Sequence, residues 1–316
     1  TYLGLKAGNP SVTACLNVFA VHNRAQLDDL DENRAWPYFD TYNLHHYEAF
    51  EGYPKLYGDH RSVCAGRPPW VTECAMPVKW SGDPALQELA DADLKEQSER
   101  IAKVFAGSLH EGSRATFYFI LGHYVEGQTQ FGIIRRDLTP RPAYVALAAV
   151  GRLLADARPM GRVKTGVEGL HAYLFRAKPD GKDRAVVVAW MKSGVGRLTL
   201  PSAAELVTDH LGRPRQSSAE IELTTAPTFA VLPIRTAAAL TLEPPPASPR
   251  RSPGKPCSVV LQATLPSAAS LLWASGYRVS DTKPTEAILA VYNFGSETVS
   301  GFIHARSPKG WSVEGL

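Results

Sequence analysis

Two rhythms of apolar and polar positions divide the chain near residue 159. Before it, strand-like runs alternate with helix-like ones. "SVTACLNVFA" (11–20) is β-rich and follows Asn9-Pro10, a boundary signal. "RAQLDDLDENRA" (24–35) is polar and helix-prone. "YFDTYNLHHY" (38–47) is the next strand, a weakly helical stretch runs on to Cys64, and "PWVTE" (69–73) is the third strand. The strongest helical period spans 84–110, where Leu94, Ile101, Val104, Phe105 and Leu109 share one stripe and Gly112 follows as a stop. "ATFYFIL" (115–121) reads as a buried strand. "PRPAYVALAAVGRLLADA" (140–157) reads as a helix with proline in its first turn, where a missing N–H matters least.

After 159 the helical period disappears. Short strand runs at 171–177, 184–190, 197–200, 204–209, 219–223 and 228–234 are joined by turn chemistry such as "PDGKD" and "DHLGRP". The pattern predicts a small β-sandwich over 160–242. "EPPPASPRRSPGKP" (243–256) is a proline-rich, basic linker. "CSVVLQA", "EAILAVYNF" and "TVSGFIHARSP" predict part of a second, Ig-like sandwich over 257–316.

Four strand–helix units in a row define a parallel sheet, and four are half of an eightfold barrel. The expected fold class is therefore α/β followed by all-β. Residues 1–159 form the C-terminal half of a (β/α)8 TIM barrel, then come a β-sandwich and a partial second one. A half barrel bares two sheet edges, so the other half is expected before Thr1, where "TYLGLKAG" reads as the tail of a helix. The chain starts with Thr, carries no signal-like segment and stops just after "GWSVEGL". Both ends read as cut from a longer protein.

Composition narrows the function classes. The 316 residues are 44% hydrophobic and 21% charged, with a net charge of +3. That charge is too small to argue for nucleic acid or an anionic membrane surface, and no apolar run is long enough to span a bilayer. No nucleotide-binding glycine loop, GxSxG elbow or HExxH occurs. The four cysteines lack metal-ligand spacing; Cys64 and Cys74 are open to pairing or to remaining as buried thiols. His45 and His46, adjacent on a strand, point to opposite faces and suit one metal ion poorly. No cofactor or metal is expected.

The candidate chemistry lies in spacing. His45 and Tyr47 are two apart and so share one side of an extended chain, at its C-terminal end. Glu73 ends the next strand. In a parallel barrel such ends converge on the face that carries the active site. Tyr118 in the following strand, His123, Tyr124 and Glu126 just beyond it, and Trp80 after Glu73 complete the set. Aromatic planes beside carboxylates suit sugar rings, with their apolar C–H faces and polar edges. Each aromatic is equally open to a core role, and His45 with Tyr47 to being a simple hydrogen-bonded pair.

"FDTYNLHHYEAFEGYP", "PPWVTECAMP" and "FYFIL…FGIIRRDLTPRPAYVALAAV" together resemble the C-terminal half of a clan A glycoside hydrolase, family 39 above all, over roughly residues 1–235. Asp40, His45 and Tyr47 match a DxxxxHxY strand, Trp70, Thr72 and Glu73 a WxTE strand end, and Thr139 to Tyr144 a tPrPAY helix. The resemblance implies a retaining glycosidase with Glu73 as nucleophile. It implies His45, Tyr47, Trp80, Tyr118, His123, Tyr124 and Glu126 as substrate-binding residues, a carbohydrate partner, and an extracellular or cell-envelope location. The family's acid/base glutamate belongs to a strand expected before Thr1, and no matching motif occurs here. Two other readings stand beside this one. The first is a carbohydrate-binding or cell-surface protein whose barrel has lost catalysis; the second is an unrelated barrel enzyme.

Overall fold

The computed structural model describes residues 1–18, 24–61, 64–248, 254–271 and 277–315. It falls into two compact units, Thr13–Pro253 and a smaller one joining Thr1–Val12 to Gly254–Leu316. The first helix, α1 (Tyr2–Gly8), belongs to the smaller unit.

In the larger unit, α2 (Arg24–Glu32) precedes a parallel sheet of β1 (Tyr42–His46), β2 (Pro69–Cys74) and, after the short β3 (Val78–Lys79), β4 (Ala115–Tyr118). The strand expected at 11–20 reduces to one parallel bridge, Cys15 to Thr41, beside β1; residues 19 and 20 lie outside the described residues. No closed barrel forms among the described residues. The connections carry α3 (Tyr53–Arg61) and α4 (Asp91–His110), and α5 (Pro142–Leu153) follows β4 after a small hairpin, β5 (Val125–Glu126) and β6 (Thr129–Gln130), to which β3 pairs.

Alternation explains how β1 is held. Tyr42, Leu44 and His46 turn toward the helices and are buried. Tyr42 Oη lies 2.8 Å from His60 Nδ1, and Tyr57 Oη lies 3.1 Å from His46 Nε2. The intervening Asn43 and His45 are thereby left for the opposite face. Ile101 and Val104 of α4 and Ala146, Val150 and Leu153 of α5 complete the same core. Gly107 is where Tyr53 crosses α4: a Cβ there would come 2.9 Å from the Tyr53 ring.

Two expectations need correction here. The helix expected from 84 starts at Asp91, because Asp83 Oδ1 accepts the Ala85 N–H at 2.8 Å and winds residues 84–87 into a turn. Asp91 and Asp93 then sit in the first helical turn, where the helix dipole favours acids. The apolar run 115–121 is a strand only to Tyr118 and is covered on one side: Phe117 is 52% and Leu121 54% exposed.

The β region is built on β7 (Arg158–Val163), β8 (Leu170–Ala177), β9 (Arg184–Met191), β10 (Gly196–Thr199), β11 (Leu206–Asp209), β12 (Pro214–Arg215), β13 (Glu220–Leu223), β14 (Thr228–Leu232) and β15 (Leu242–Glu243). Seven of them form one antiparallel sheet in the order β12-β11-β14-β9-β8-β7-β15, while β10 and β13 pair as a separate ribbon. The second layer is thus only two strands wide. Ala185, Val187, Ala189 and Met191 of β9 share a core with Leu198 and Ile221 of the ribbon. Val186, Val188 and Trp190 face the other way, into the core of the parallel layer. Burial on both faces accounts for the nearly unbroken apolar run of β9. The short α6 (Ile234–Ala237) follows β14.

In the smaller unit, β16 (Val259–Thr264) and β17 (Ile288–Asn293) pair antiparallel. The expected strand "TVSGFIHARSP" has no regular structure, and its Phe302 is 93% exposed. Part of the expected linker, residues 249–253, lies outside the described residues. No described helix is long and apolar enough to cross a membrane. Cys64 and Cys74 are separate buried thiols, so the open pairing of Cys64 with Cys74 does not occur.

Candidate active site

Glu73 sits at the C-terminal end of β2, in register with His45 of β1. Irregularities in pairing after Leu44 and after Val71 let Thr72 and Glu73 both leave the helix-facing side, while Val71 and Cys74 stay buried on it. One carboxylate oxygen is held twice: Tyr47 Oη donates to Glu73 Oε2 at 2.6 Å, and His45 Nδ1 lies 3.2 Å from the same atom. Oε1 has no partner among the described residues. Behind the pair, His45 Nε2 lies 2.9 Å from Thr72 Oγ1, which is 3.0 Å from Asn43 Oδ1. Burial pushes the His45 pKa below its ordinary value, with the Glu73 carboxylate opposing. Burial, the bond to Glu73 and the charges of Glu73 and Glu126 all push the Tyr47 phenol up, so it stays a donor.

An aromatic wall stands beside the carboxylate. The Tyr47 ring meets Phe131 and Phe119 edge-on, at centroid distances of 5.6 and 6.1 Å, and Tyr124 meets Phe119 at 5.4 Å. Tyr124 Oη donates to Glu126 Oε1 at 2.6 Å; that bond and the charges of Glu126 and Glu73 raise its pKa. Glu73 and Glu126 thus both act electrically on Tyr47 and on Tyr124.

The sequence-derived residues divide on this geometry. His45 and Tyr47 both meet Glu73, and Tyr124 with Glu126 adjoins them through the aromatic wall. Trp80 borders the hairpin that carries Glu126: its backbone N–H donates to Gln128 O at 2.8 Å and its Nε1 to Gly127 O at 3.4 Å. Tyr118 pairs in register with buried Cys74 and packs against the helix-side core, away from the Glu73 cluster. His123 belongs to a different network, with Nδ1 3.3 Å from Arg141 Nη2 and Nε2 3.3 Å from Arg136 Nε. Asn43, Thr72, Phe119 and Phe131 belong to the site beyond the sequence-derived candidates, and the place of Asn43 two before His45 marks the same face. No group of three or more His, Cys, Asp or Glu suited to a metal occurs among the described residues.

Arg141 holds the loop that bears the aromatic wall. Its side chain is fully buried; it donates to the carbonyls of Gly132 (2.9 Å) and Ile134 (2.7 Å) and forks onto both oxygens of Glu88. Burial works against the charge of Glu88, yet Arg141, the Leu89 N–H and Arg135 hold its pKa below the ordinary value. Arg141→Met should therefore cost about 3 kcal/mol of stability, since it removes the fork onto Glu88, leaving that carboxylate only Arg135 and the Leu89 N–H, and strips the Ile134 carbonyl of its side-chain donor. Urea unfolding of the two proteins measures it, and a loss under ~1 kcal/mol would contradict the clamp.

The parallel β/α layer backed by an antiparallel sheet is a mixed α/β architecture with strand ends gathered at one edge of the parallel layer. More particularly, it resembles a family 39 glycoside hydrolase from the gut symbiont Bacteroides cellulosilyticus WH2, at TM-score 0.53 and 18% identity over 73% of this chain. The alignment takes in 53% of that enzyme, so the chain spans about half its length. A calcium-binding mutant of Bacteroides uniformis beta-glucuronidase 2 aligns over 92% of this chain and 29% of its own, at TM-score 0.36 and 11% identity, too loosely to define a common fold. No protein-family model and no curated protein matches the sequence.

Proposed function

We propose that this chain is the C-terminal part of a retaining glycoside hydrolase acting on oligo- or polysaccharides, with Glu73 as its nucleophile. The observation that carries the reading is the unequal treatment of the two Glu73 oxygens. Oε2 is anchored by Tyr47 and His45, and Oε1 has no partner among the described residues. In the reaction Oε1 attacks the anomeric carbon while the bond to the leaving oxygen breaks. A carboxylic acid about 5–5.5 Å from Glu73 protonates that oxygen, and the same group then deprotonates the water that releases the sugar. Two donors on Oε2 fix the direction of the carboxylate and aim Oε1 away from them.

The acid is assigned to a strand preceding Thr1, in the half barrel that closes the sheet over the exposed side of Phe117. Residues 1–159 are read as the C-terminal barrel half, 160–242 as an accompanying sandwich, 243–256 as a linker and 257–316 as part of an Ig-like domain. Tyr124, Glu126 and Trp80, with Phe119 and Phe131, are read as walls of the sugar site. Tyr118 and His123 are read as support. An extracellular or cell-envelope location is part of the same proposal.

The test is hydrolysis of a panel of chromogenic glycosides by the 316-residue chain and by the protein extended upstream through four further strands. Turnover is expected from the extended protein alone, because a general acid contributes ~10²–10⁴-fold in rate. Robust turnover by the 316-residue chain would refute an upstream acid. Silence from both would refute the activity.

A further inference from the structure

Behind Glu73 runs a line of hydrogen-bonding groups: Asn43 Oδ1 to Thr72 Oγ1 (3.0 Å), Thr72 Oγ1 to His45 Nε2 (2.9 Å), and His45 Nδ1 to Glu73 Oε2 (3.2 Å). Asn43 is buried at 7% exposure, and the His45 side chain is 14% exposed. Water therefore has little access to correct a mismatch, and the hydrogens can be counted along the line. The Thr72 hydroxyl has one hydrogen to give. While it goes to Asn43 Oδ1, the Thr72 oxygen must receive a hydrogen from His45 Nε2. Nδ1 then needs a second hydrogen to face the carboxylate. That arrangement fits a charged imidazolium.

A neutral His45 carries one ring hydrogen. On Nε2, it would leave the bare Nδ1 lone pair facing Glu73 Oε2, two acceptors at 3.2 Å. On Nδ1, it preserves the bond to Glu73. Thr72 then turns its hydrogen to Nε2, and a half turn of the Asn43 amide presents NH2 to Thr72 Oγ1. Every group in the line is satisfied. We propose that Thr72 and Asn43 are positioning residues that lock neutral His45 as its Nδ1–H tautomer, keeping two donors on Glu73 Oε2 and leaving Oε1 bare. The tautomer is diagnostic, because a solvent-exposed imidazole prefers its hydrogen on Nε2. Burial favours the neutral ring, so the locked form is the one present near neutral pH. The use of Oε1 for attack rests on the glycosidase reading; the tautomer does not.

The experiment is a nitrogen–proton correlation spectrum of the 316-residue chain with 15N-labelled histidine at pH 7.5, the His45 signals being those lost in His45→Gln. The wild type is expected to show a protonated Nδ1 and a bare Nε2. Thr72→Val, which removes the hydrogen given to Nε2 and leaves Glu73 alone to hold the tautomer, should add Nε2–H or averaged signals to the wild-type pattern, and Thr72→Ser, which keeps the hydroxyl, should not. An Nε2–H pattern or averaged tautomers in the wild type would overturn the proposal without any variant, and so would a Thr72→Val spectrum identical to wild type. If the lock is found and the extended protein hydrolyses no glycoside, the role given to Glu73 fails while the lock stands.

Discussion

Glu73→Gln is expected to lower glycoside turnover by the upstream-extended protein at least ~10³-fold, about 4 kcal/mol of barrier. Glutamine keeps the shape of the side chain and an oxygen for Tyr47. On the proposed mechanism it removes the negative charge that attacks the anomeric carbon and stabilises the positive charge growing on the sugar. An interaction made mainly in the transition state shows its loss in kcat more than in sugar binding. The walls formed by Tyr124, Phe119 and Phe131 remain, so the dissociation constant for a product sugar should change far less than the rate. If the variant keeps more than about a tenth of wild-type turnover, a loss of only ~1.4 kcal/mol, Glu73 is not the nucleophile.

The second large effect is on stability at acid pH. His46, His110 and His210 are buried, and their pKa values are pushed down to about 4. Burial is the main cause in each. For His46 the charges of His45 and His60 add to it, and its backbone hydrogen bond opposes. Arg162 and Arg61 add for His110, against Glu243; Arg213, Lys103 and Lys95 add for His210, against Asp209. The unfolded chain binds these protons near 6.5, so between about 6.5 and 4 it holds more protons than the folded one. Stability is therefore full above that window and falls as pH drops through it, by on the order of 3 kcal/mol per histidine. Three such groups rival a typical domain's whole stability of ~5–15 kcal/mol. Urea unfolding at pH 7.5, 6, 5 and 4.5 should give a steadily falling midpoint. His210→Gln, which can keep a bond to Ser98, should recover about a third of the loss, as one group of three. A midpoint unchanged down to pH 4.5 would contradict the buried-neutral assignment.

These expectations show what was legible in the sequence. The two-residue spacing of His45 and Tyr47 is a property of any extended strand, and the β1–β2 register brings both onto Glu73. The same spacing rule points to Asn43, which went unread because an asparagine between apolar neighbours carries no chemistry until its Thr72 partner is known. Tyr118 was open to a wall or a core role, and the structure places it with the core. The irregular β2–β4 pairing after Val71 sets it beside Cys74 on the helix side, and no local pattern announces a bulge. His123, one residue before Tyr124, instead meets Arg136 and the buried Arg141. Among elements, α5 and the antiparallel strands followed their periods. The start of α4 did not, since Asp83 captures backbone N–H groups ahead of it. Residues 115–121 look like a fully buried strand because composition cannot tell which face will be covered.

The central claim is most directly tested by trapping. A 2-deoxy-2-fluoro glycoside with a good leaving group, incubated with the upstream-extended protein, should accumulate as a glycosyl-enzyme, because the fluorine slows its hydrolysis more than its formation. Peptide mass spectrometry is expected to find the sugar on the peptide containing Glu73, bound through that carboxylate, with no label on the Glu73→Gln protein. A label on any other carboxylate, or turnover with inversion and no trapped intermediate, would contradict it.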